Sequence, residues 1–359
     1  MLDRALGTSE TVWGTRYAEM SLFMQKQIYQ FCAAKSIAEM RSLANLAAGK
    51  QGTMRTFDEF KAMAERKHSL YNNTYLKTET DTARMAARTA MLWQDYLENE
   101  DISPNLRYET MEDERVRSSH RVLNGIVRPI HDPFWNTYYP PNGYNCRCTT
   151  VQTDERQTRL AVDKPLPIPK IFEHNLAKEN KMFPPEHPYF EKANAFGKIN
   201  ETVAALPQEQ CFIDVQIPEA ERTVQVHALF GDSELAKNME IAVWALQNGY
   251  KDVRLLPELG GDIPQNIRDS FYPKGQRPAA GKNADAIIDG NVYEMKTCAA
   301  KQFGTRVRQA MRQSKNIVIK TDATGWTKEN TLRSLENNHI SGYEKLIVIL
   351  KDGTSFELP

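Results

Sequence analysis

The chain has 359 residues, which is enough for two or three domains. Its 46 Lys and Arg residues balance its 46 Asp and Glu residues, so the overall charge singles out neither a nucleic-acid nor a membrane partner. Because the sequence has no apolar run of about 18 residues, we expect no membrane span, and the mixed residues after Met1 do not predict a signal peptide.

Residues 1 to about 100 are predicted to be helical. Ser21–Ala44 carries apolar residues at helical spacing. Thr56 and Glu59 have the spacing of a capping box, with Thr56 as the N-cap of a second helix and Glu59 three residues inside it. A third helix is expected at about Thr78–Glu98. The apolar stripes favour packing in a core over an exposed docking surface.

The sequence changes character between residues 101 and 153. It reads Arg115-Val-Arg-Ser-Ser-His120, then Asp132-Pro-Phe134, and then Pro140-Pro-Asn-Gly-Tyr-Asn-Cys-Arg-Cys148. This segment closely resembles the head morphogenesis domain of phage Mu F-like minor head proteins over about 50 residues, and the resemblance extends back to about residue 75. It implies that residues 1–153 form such a domain, which would bind portal or capsid proteins.

Two histidines and two cysteines in this region are a candidate metal site. Thiolates and imidazoles are the ligands that Zn²⁺ prefers, so His120, His131, Cys146 and Cys148 could form a structural zinc site. Alternatively, the cysteines pack as small apolar groups and the histidines hydrogen-bond turns. The chain's five cysteines, odd in number and scattered, predict a reducing compartment over a disulfide framework.

Residues 154–224 are predicted to be a proline-rich linker. Lys164–Lys170 alternates proline with other residues and is expected to be extended, close to polyproline II. Such a tether would let a head-bound domain carry a separate effector. A short folded segment is also expected within about 186–230.

The segment from Asn283 to Lys296 carries the chemistry of a hydrolytic site. Asp289-Gly290 predicts a two-residue type I′ turn between two strands. Residues i and i+2 of a strand share a face, so Glu294 and Lys296 should point to one place, within reach of Asp285. The two carboxylates could hold Mg²⁺ or Mn²⁺, which lowers the pKa of a bound water, and Lys296 could stabilise the charge that develops on a phosphate.

The neighbouring elements place this motif in a helix–strand–strand–strand–helix–strand order. A helix at about 233–248 and a strand at 252–256 precede it, and a helix at about 303–314 and a strand at 316–320 follow it. This order resembles the PD-(D/E)xK nuclease core, although Ala284 stands where that name has Pro. The resemblance implies that Glu240 joins the metal site and that Gln309 or Gln313 supports it. Asp289 is the alternative to Asp285 but lies in the turn itself, which favours Asp285.

The C-terminal region, residues 225–359, also resembles the nuclease toxin domains of contact-dependent growth inhibition proteins and other polymorphic toxins. The resemblance lies in the sequence segments Asn248–Glu258, Ala284–Gly290, Tyr293–Thr297 and Gln313–Ile319. It implies an RNase directed at tRNA and a cognate immunity protein. A metal-free alternative of the barnase or colicin type would use Lys296, Thr297, Arg306 and Thr354.

The expected fold is therefore a multidomain α+β protein. It combines a helical N-terminal region, a small Cys/His/Pro-rich head-morphogenesis module and a C-terminal α/β PD-(D/E)xK-like nuclease core. The expected function is a phage or prophage minor head protein that carries a nuclease for RNA, or less favourably DNA, in the virion or host cytoplasm. The segment 296–320 is rich in Lys and Arg and lacks Asp and Glu, as a nucleic-acid-facing surface would be. The alternative is a structural head protein with an inactive C-terminal domain.

Overall fold

The structure, a computed structural model, describes residues 11–47, 55–158, 168–179, 181–194 and 198–359. The chain divides into two compact units. The first runs from Thr15 to Ile199, and the second combines Asn200–Pro359 with a short segment that ends at Gly14. Strand β1, Thr11–Val12, therefore belongs to the second unit. No helix in the described ranges is long and apolar enough to cross a membrane.

Among the described residues the helical prediction for the start of the chain is confirmed from Ala18 onward, whereas Thr11–Val12 forms β1. Helices α1 (Ala18–Ala47), α2 (Phe57–Ser69) and α3 (Leu76–Glu98) are present, with a π-helical turn joining α2 to α3. The capping box is also present: the backbone N–H of Glu59 donates to the Thr56 hydroxyl at 3.3 Å, and the Glu59 carboxylate accepts from the backbone N–H of Thr56 at 3.1 Å. Because α2 has no buried residue, its start depends on this local cap.

A stripe of small residues lets α3 approach the core closely. Ala83, Ala86, Ala87 and Ala90 follow the i, i+3, i+4, i+7 spacing of one helical face and are all fully buried. These alanines belong to one hydrophobic core cluster together with larger side chains from α1, among them Phe31.

A three-stranded sheet follows the helices. Its central strand β2 (Asn105–Glu109) pairs antiparallel with β3 (Val127–Pro129) on one side and β4 (Thr149–Thr153) on the other. Leu106 and Tyr108 alternate with more exposed residues and are fully buried. Two short helices, α4 (Ser118–Arg121) and α5 (Phe134–Tyr138), lie in the connections between these strands.

Part of the predicted linker is packed into the first unit. Helix α6 (Pro188–Asn194) and the residues before it bury Phe183 and Tyr189, and the rings of Phe183 and Phe31 stack at 3.7 Å. The Tyr189 hydroxyl donates to Glu79 at 2.9 Å, and Glu79 pairs with Lys35 at 2.6 Å. These aromatic side chains are buried in the core of the first unit although prolines lie close to them in the sequence. This part of the chain is therefore packed and does not act as a tether. Residues 164–167 of the segment expected to be extended lie outside the described residues.

The second unit contains a nine-stranded mixed sheet whose strands are ordered as in the sequence, from β1 through β5 to β12. The helices from the unit boundary onward are α7 (Ile199–Ala204), α8 (Leu235–Gln247), α9 (Gln265–Ser270), α10 (Phe303–Ala310) and α11 (Lys328–Asn337). Its strands after β1 are β5 (Phe212–Ile217), β6 (Arg222–His227), β7 (Val253–Leu255), β8 (Ala286–Ile288), β9 (Asn291–Cys298), β10 (Asn316–Thr321), β11 (Lys345–Ile349) and β12 (Ser355–Leu358).

The predicted helices and strands are present as α8, β7, β8, β9, α10 and β10, but the additional helix α9 (Gln265–Ser270) interrupts the predicted order between β7 and β8. The sheet is larger than predicted, because β5 and β6 form an antiparallel pair that begins in the range assigned to the linker and ends at His227. Ile213, Val215 and Ile217 alternate with exposed or half-buried residues and are buried, which explains why β5 joins the sheet. Strand β6 pairs parallel with β7 and so connects this hairpin to the rest.

Candidate active site

The β8–β9 hairpin brings Asp285 opposite Glu294. Its turn has positive φ at both central residues, 45° at Asp289 and 79° at Gly290, as the predicted type I′ turn requires. The ladder pairs Ala286 with Tyr293, and the backbone N–H of Asp285 donates to the Tyr293 carbonyl at 3.2 Å. One residue further along this register, Asp285 faces Glu294, and its Oδ2 accepts from the backbone N–H of Met295 at 2.8 Å.

Lys296 completes this group from the same face of β9. Its Nζ is ion-paired with Glu294 Oε1 and lies 3.5 Å from Asp285 Oδ2. The side-chain amide of Gln313, just beyond α10, donates to Glu294 Oε1. The structure therefore brings Asp285, Glu294, Lys296 and Gln313 together, as the i, i+2 pattern and the helix that follows indicate.

These side chains line a cavity of about 210 Å³. Two further acids, Glu234 and Glu258, line it as well. Neither residue was predicted as a site residue from the sequence. Glu234 comes directly before α8, and Glu258 follows β7 after a proline. The position of each acid at the end of a predicted helix or strand was the sequence feature that could have identified it.

Burial controls the electrostatics of this cavity. Glu294 is 0% exposed, and burial, with the nearby Asp285 carboxylate, raises its pKa to about 9. Burial also raises the pKa of Asp285, although Lys296 opposes this. For Lys296, burial alone would lower the pKa, but the two carboxylates outweigh it and raise the pKa. The site thus has more acidic groups than one lysine can balance.

The donor set fits a hard divalent cation. Glu294 Oε2 is buried and has no hydrogen-bond partner within the described part of the chain, which is a costly state for a carboxylate. Asp285 and Glu294 would hold Mg²⁺ or Mn²⁺ through oxygen atoms, the ligands that both ions prefer. A cation there would satisfy the orphaned oxygen and favour the ionised form of Glu294.

The structure does not bring Glu240 to this cavity. Its carboxylate is ion-paired with Lys320 and is 54% exposed. Glu234 stands at the N-cap of α8, and six residues further along a helix of 3.6 residues per turn a side chain points about 240° away. The prediction that Glu240 joins the site is therefore not met by its position. The acid that lines the cavity from this region is Glu234.

Other residues considered in the sequence lie elsewhere. Asp289 Oδ1 accepts from the backbone N–H groups of Lys251 and Asp252, each at 2.8 Å, and so closes the hairpin turn. Gln309 accepts from Arg306 at 3.0 Å. The Thr354 hydroxyl donates to Asp352 at 2.6 Å in the β11–β12 turn.

The metal-free alternative would need Thr297, Arg306 and Thr354 around Lys296. Arg306 and Thr354 do not line the 210 Å³ cavity, and Thr297, which neighbours Lys296 on β9, does not line it either. The Thr297 hydroxyl is buried without a hydrogen-bond partner among the described residues. Of this set, the cavity contains Lys296.

The first unit gathers three of the four predicted zinc ligands. His120, Cys146 and Cys148 are buried, and their ligand atoms all lie within 4.8 Å of one another. His120 Nδ1 lies 3.7 Å from Cys146 Sγ and 3.5 Å from Cys148 Sγ. His131 does not join them, because its exposed ring contacts Glu100 at 2.9 Å.

Comparison with known proteins bears on this first unit. Residues 14–151 match the family described as Phage Mu protein F like protein. Residues 14–151 form a Mu F-like domain. The match begins well before residue 75, so α1 and α2 lie within the Mu F-like domain together with the small sheet and the Cys/His cluster.

Two relatives share part of the Mu F-like domain. The Mu-like prophage FluMu F protein of Haemophilus influenzae is 44% identical over 82 residues, which are 23% of this chain and 19% of that protein. The Putative capsid assembly protein F of Escherichia phage Mu is 39% identical over 75 residues, 21% of this chain and 16% of that protein. The chain thus matches less than a fifth of the length of either relative.

Among solved structures, the CdiA-CT/CdiI toxin and immunity complex from Burkholderia pseudomallei is similar at 21% identity and a TM-score of 0.26. The alignment covers 35% of this chain and 84% of that chain. A TM-score this low does not establish a shared fold, so nothing about the second unit is inferred from it.

Proposed function

We propose that this chain is a phage or prophage minor head protein whose second unit is a metal-dependent nuclease. The Mu F-like domain supports the first half of this proposal, since one relative of that domain is named as a capsid assembly protein. In the proposed arrangement, the first unit binds portal or capsid proteins and the second unit carries the activity. The protein would then be found in the virion or in the host cytoplasm.

The observation that carries the nuclease proposal is the convergence of Asp285, Glu294 and Lys296 in one cavity. When bound between the two carboxylates, Mg²⁺ or Mn²⁺ would lower the pKa of a water that attacks the phosphodiester. Lys296 would bring its ammonium group to the phosphate and stabilise the charge that develops there. Gln313 would hold Glu294 in place through its side-chain amide.

A second cavity supports a polyanionic substrate. It has a volume of about 260 Å³ and shares Gln313 with the acidic cavity. Arg277, Arg312 and Lys315 line it. Arg277 and Lys315 are paired with Asp269 at 2.9 Å and Glu344 at 3.0 Å. Exposed Arg312 would add a cation to a phosphate backbone that passes Gln313 toward the two carboxylates.

The substrate we favour is RNA, and tRNA in particular, with DNA as the alternative. This preference comes from the resemblance of the motif segments to toxin nucleases and not from the cavity, which either nucleic acid could fill. A nuclease of this kind would endanger the cell that makes it, so the proposal includes a cognate immunity protein that covers the acidic cavity.

The test uses the purified full chain, incubated with total RNA, tRNA and supercoiled plasmid in Mg²⁺, Mn²⁺ or EDTA. We expect cleavage of RNA that depends on the divalent cation. Glu294→Gln and Lys296→Met should each lower the rate at least about 100-fold, because each removes a group in contact with the cation or the phosphate. The matched control Glu240→Gln changes the same kind of side chain on α8, outside the cavity, and should retain activity.

Each other outcome of this cleavage assay would support a different conclusion about the second unit. If the folded wild-type chain cleaves neither RNA nor DNA with either cation, the second unit is not a metal-dependent nuclease and a structural head protein is favoured. Full cleavage in EDTA that survives Glu294→Gln would instead favour the metal-free mechanism. Cleavage of plasmid but not RNA would keep the metal site and reassign the substrate.

A further inference from the structure

The buried cluster of His120, Cys146 and Cys148 lies in the Mu F-like domain and takes no part in the nuclease proposal. Cys146 and Cys148 lie two residues apart directly before β4, and both of their thiols reach His120 Nδ1. Arg147 between them is turned to the other side and pairs with Asp113 at 2.7 Å. Helix α4 supplies His120 against the two thiols.

The distances in this cluster are those of a tetrahedral metal site. With Zn–S bonds of about 2.3 Å and a Zn–N bond of about 2.0–2.1 Å, tetrahedral geometry puts a nitrogen and a sulfur ligand about 3.6 Å apart. His120 Nδ1 lies 3.7 Å from Cys146 Sγ and 3.5 Å from Cys148 Sγ. One ring nitrogen thus stands at the ligand–ligand spacing from both sulfurs at once.

The surroundings of His120 do not offer another role for its ring. Within the described residues its side-chain contacts are to the two thiols, and its Nε2 is buried without a partner. A histidine that only stabilises a turn would bond to backbone groups of that turn. The ring is therefore positioned by its contacts with Cys146 and Cys148.

A small cavity adjoins the three ligands. Its volume is about 20 Å³, which is enough for one water molecule. His120, Cys146 and Cys148 line it, and so do Arg115 and Arg117. The cavity has room for a water as the fourth ligand of a three-residue site.

We propose that His120, Cys146 and Cys148 bind one Zn²⁺ ion that fastens α4 to the start of β4 in the Mu F-like domain. Two thiolates and one neutral imidazole balance the charge of the ion and suit a borderline-soft metal better than Mg²⁺ or Ca²⁺. The ion would close a loop of more than 20 residues in a module whose sheet has three short strands. His131 is not a ligand in this site.

The test begins with the wild-type full chain, expressed with zinc in the medium and purified under reducing conditions without chelators. Elemental analysis should find one zinc per chain. Replacing zinc with Co²⁺ should give the thiolate-to-cobalt charge-transfer band and the intense visible bands of a tetrahedral site. Glu294→Gln should leave these bands unchanged, which separates this site from the carboxylate cavity of the second unit.

Variants assign the ligands. Cys146→Ser, Cys148→Ser and His120→Ala should each lose bound zinc. Cys211→Ser and His131→Gln, which change the same residue types outside the cluster, should keep it. Because loss of the ion could unfold the domain, Cys148→His provides a second measure. It retains a ligand and should still bind one metal, with a weaker thiolate-to-cobalt band.

Any one of three results would overturn the proposal. One is a folded wild-type chain with reduced thiols that contains no more zinc than Cys146→Ser and gives no tetrahedral cobalt spectrum. The other is a stable disulfide between Cys146 and Cys148 in the protein purified under reducing conditions. A cobalt band that disappears in Glu294→Gln but persists in His120→Ala would place the metal in the second unit and would also reject the site.

Discussion

At the scale of single residues, the acidic cavity depends on where one carboxylate is buried. Glu294 is 0% exposed, shares Oε1 with Lys296 and Gln313, and leaves Oε2 without a partner among the described residues. A structural ion pair would satisfy both oxygens, since a buried carboxylate that lacks hydrogen bonds destabilises the fold. The arrangement is instead typical of a site whose ligand supplies the missing interaction.

The raised pKa of Glu294 predicts how stability depends on pH. In the folded, cation-free chain its carboxyl keeps a proton up to about pH 9, whereas in the unfolded chain it ionises near its ordinary pKa of 4.5. This contribution to the free energy of unfolding is complete below about pH 4.5 and falls as pH rises toward 9, by at most about 1.4 kcal/mol per pH unit. Urea unfolding of the full chain from pH 5 to 9 in EDTA measures it.

The Glu294→Gln variant should make this pH dependence shallower, because the amide cannot ionise. Adding Mg²⁺ should stabilise the wild-type chain at pH 8 and have a smaller effect on Glu294→Gln. Glu240→Gln is the control, since Glu240 is half-exposed and paired with Lys320, and it should follow the wild-type profile. Identical profiles for wild type and Glu294→Gln would contradict the assigned pKa shift.

Local patterns made most of this site predictable from the sequence. The two-residue turn and the i, i+2 spacing set the positions of Asp285, Glu294 and Lys296 relative to one another. Glu240 was predicted and Glu234 was missed, because which acid of this region reaches the cavity depends on how α8 packs against the sheet, and no local pattern encodes that. The zinc set shows the same limit: Cys146 and Cys148 are local, whereas His131 seemed as suitable as His120 until the fold placed it beside Glu100.

At the scale of elements, the turn after α10 serves two cavities. Gln313 points inward and donates to Glu294, while the adjacent Arg312 is exposed and lines the larger cavity. Successive residues in this turn thus connect the acidic cavity with the basic one. The basic residues of 296–320 do not form one surface. Arg312 and Lys315 line the larger cavity, Lys296 lines the acidic one, and Lys320 is paired with Glu240.

Replacing Arg312 with Glu should weaken binding of single-stranded RNA and reduce its salt dependence. If Arg312 neutralises one phosphate, the slope of log affinity against log salt should become shallower by about 0.7. Fluorescence anisotropy with a labelled RNA in EDTA measures this in a Lys296→Met background, where cleavage does not interfere. Arg333→Glu makes the same charge change on α11, outside both cavities, and should leave the slope unchanged. Equal slopes for the two variants would remove Arg312 from the nucleic-acid surface.

At the scale of the whole molecule, the second unit is not a simple C-terminal segment. Strand β1 from near the start of the chain pairs parallel with β5, and the backbone N–H of Trp13 donates to the Gln216 carbonyl at 2.8 Å. A pairing across some 200 residues of sequence leaves no local signal, which is why the sequence alone could not predict it. By contrast, β5 lies within the range 186–230 where a short folded segment was expected, but the sequence analysis did not join that segment to the sheet of the C-terminal region.

This topology predicts how truncated chains behave. A fragment of residues 225–359 lacks β5 and the first half of β6, so the retained half of β6 would lose its antiparallel partner and expose an edge that includes the buried Val226. We expect it to be poorly soluble and rapidly digested by protease. A fragment of residues 200–359 retains both strands and lacks only β1, so it should fold with a lower free energy of unfolding.

Limited proteolysis and circular dichroism of the two fragments beside the full chain measure this difference. The strand-breaking variant Trp13→Pro in the full chain is the matched test of β1 alone, because proline removes the backbone N–H that donates to the Gln216 carbonyl. It should lower the stability of the second unit toward that of the 200–359 fragment. If the 225–359 fragment instead resists protease as well as the 200–359 fragment, β5 and the first half of β6 are dispensable and residues 225–359 fold without them.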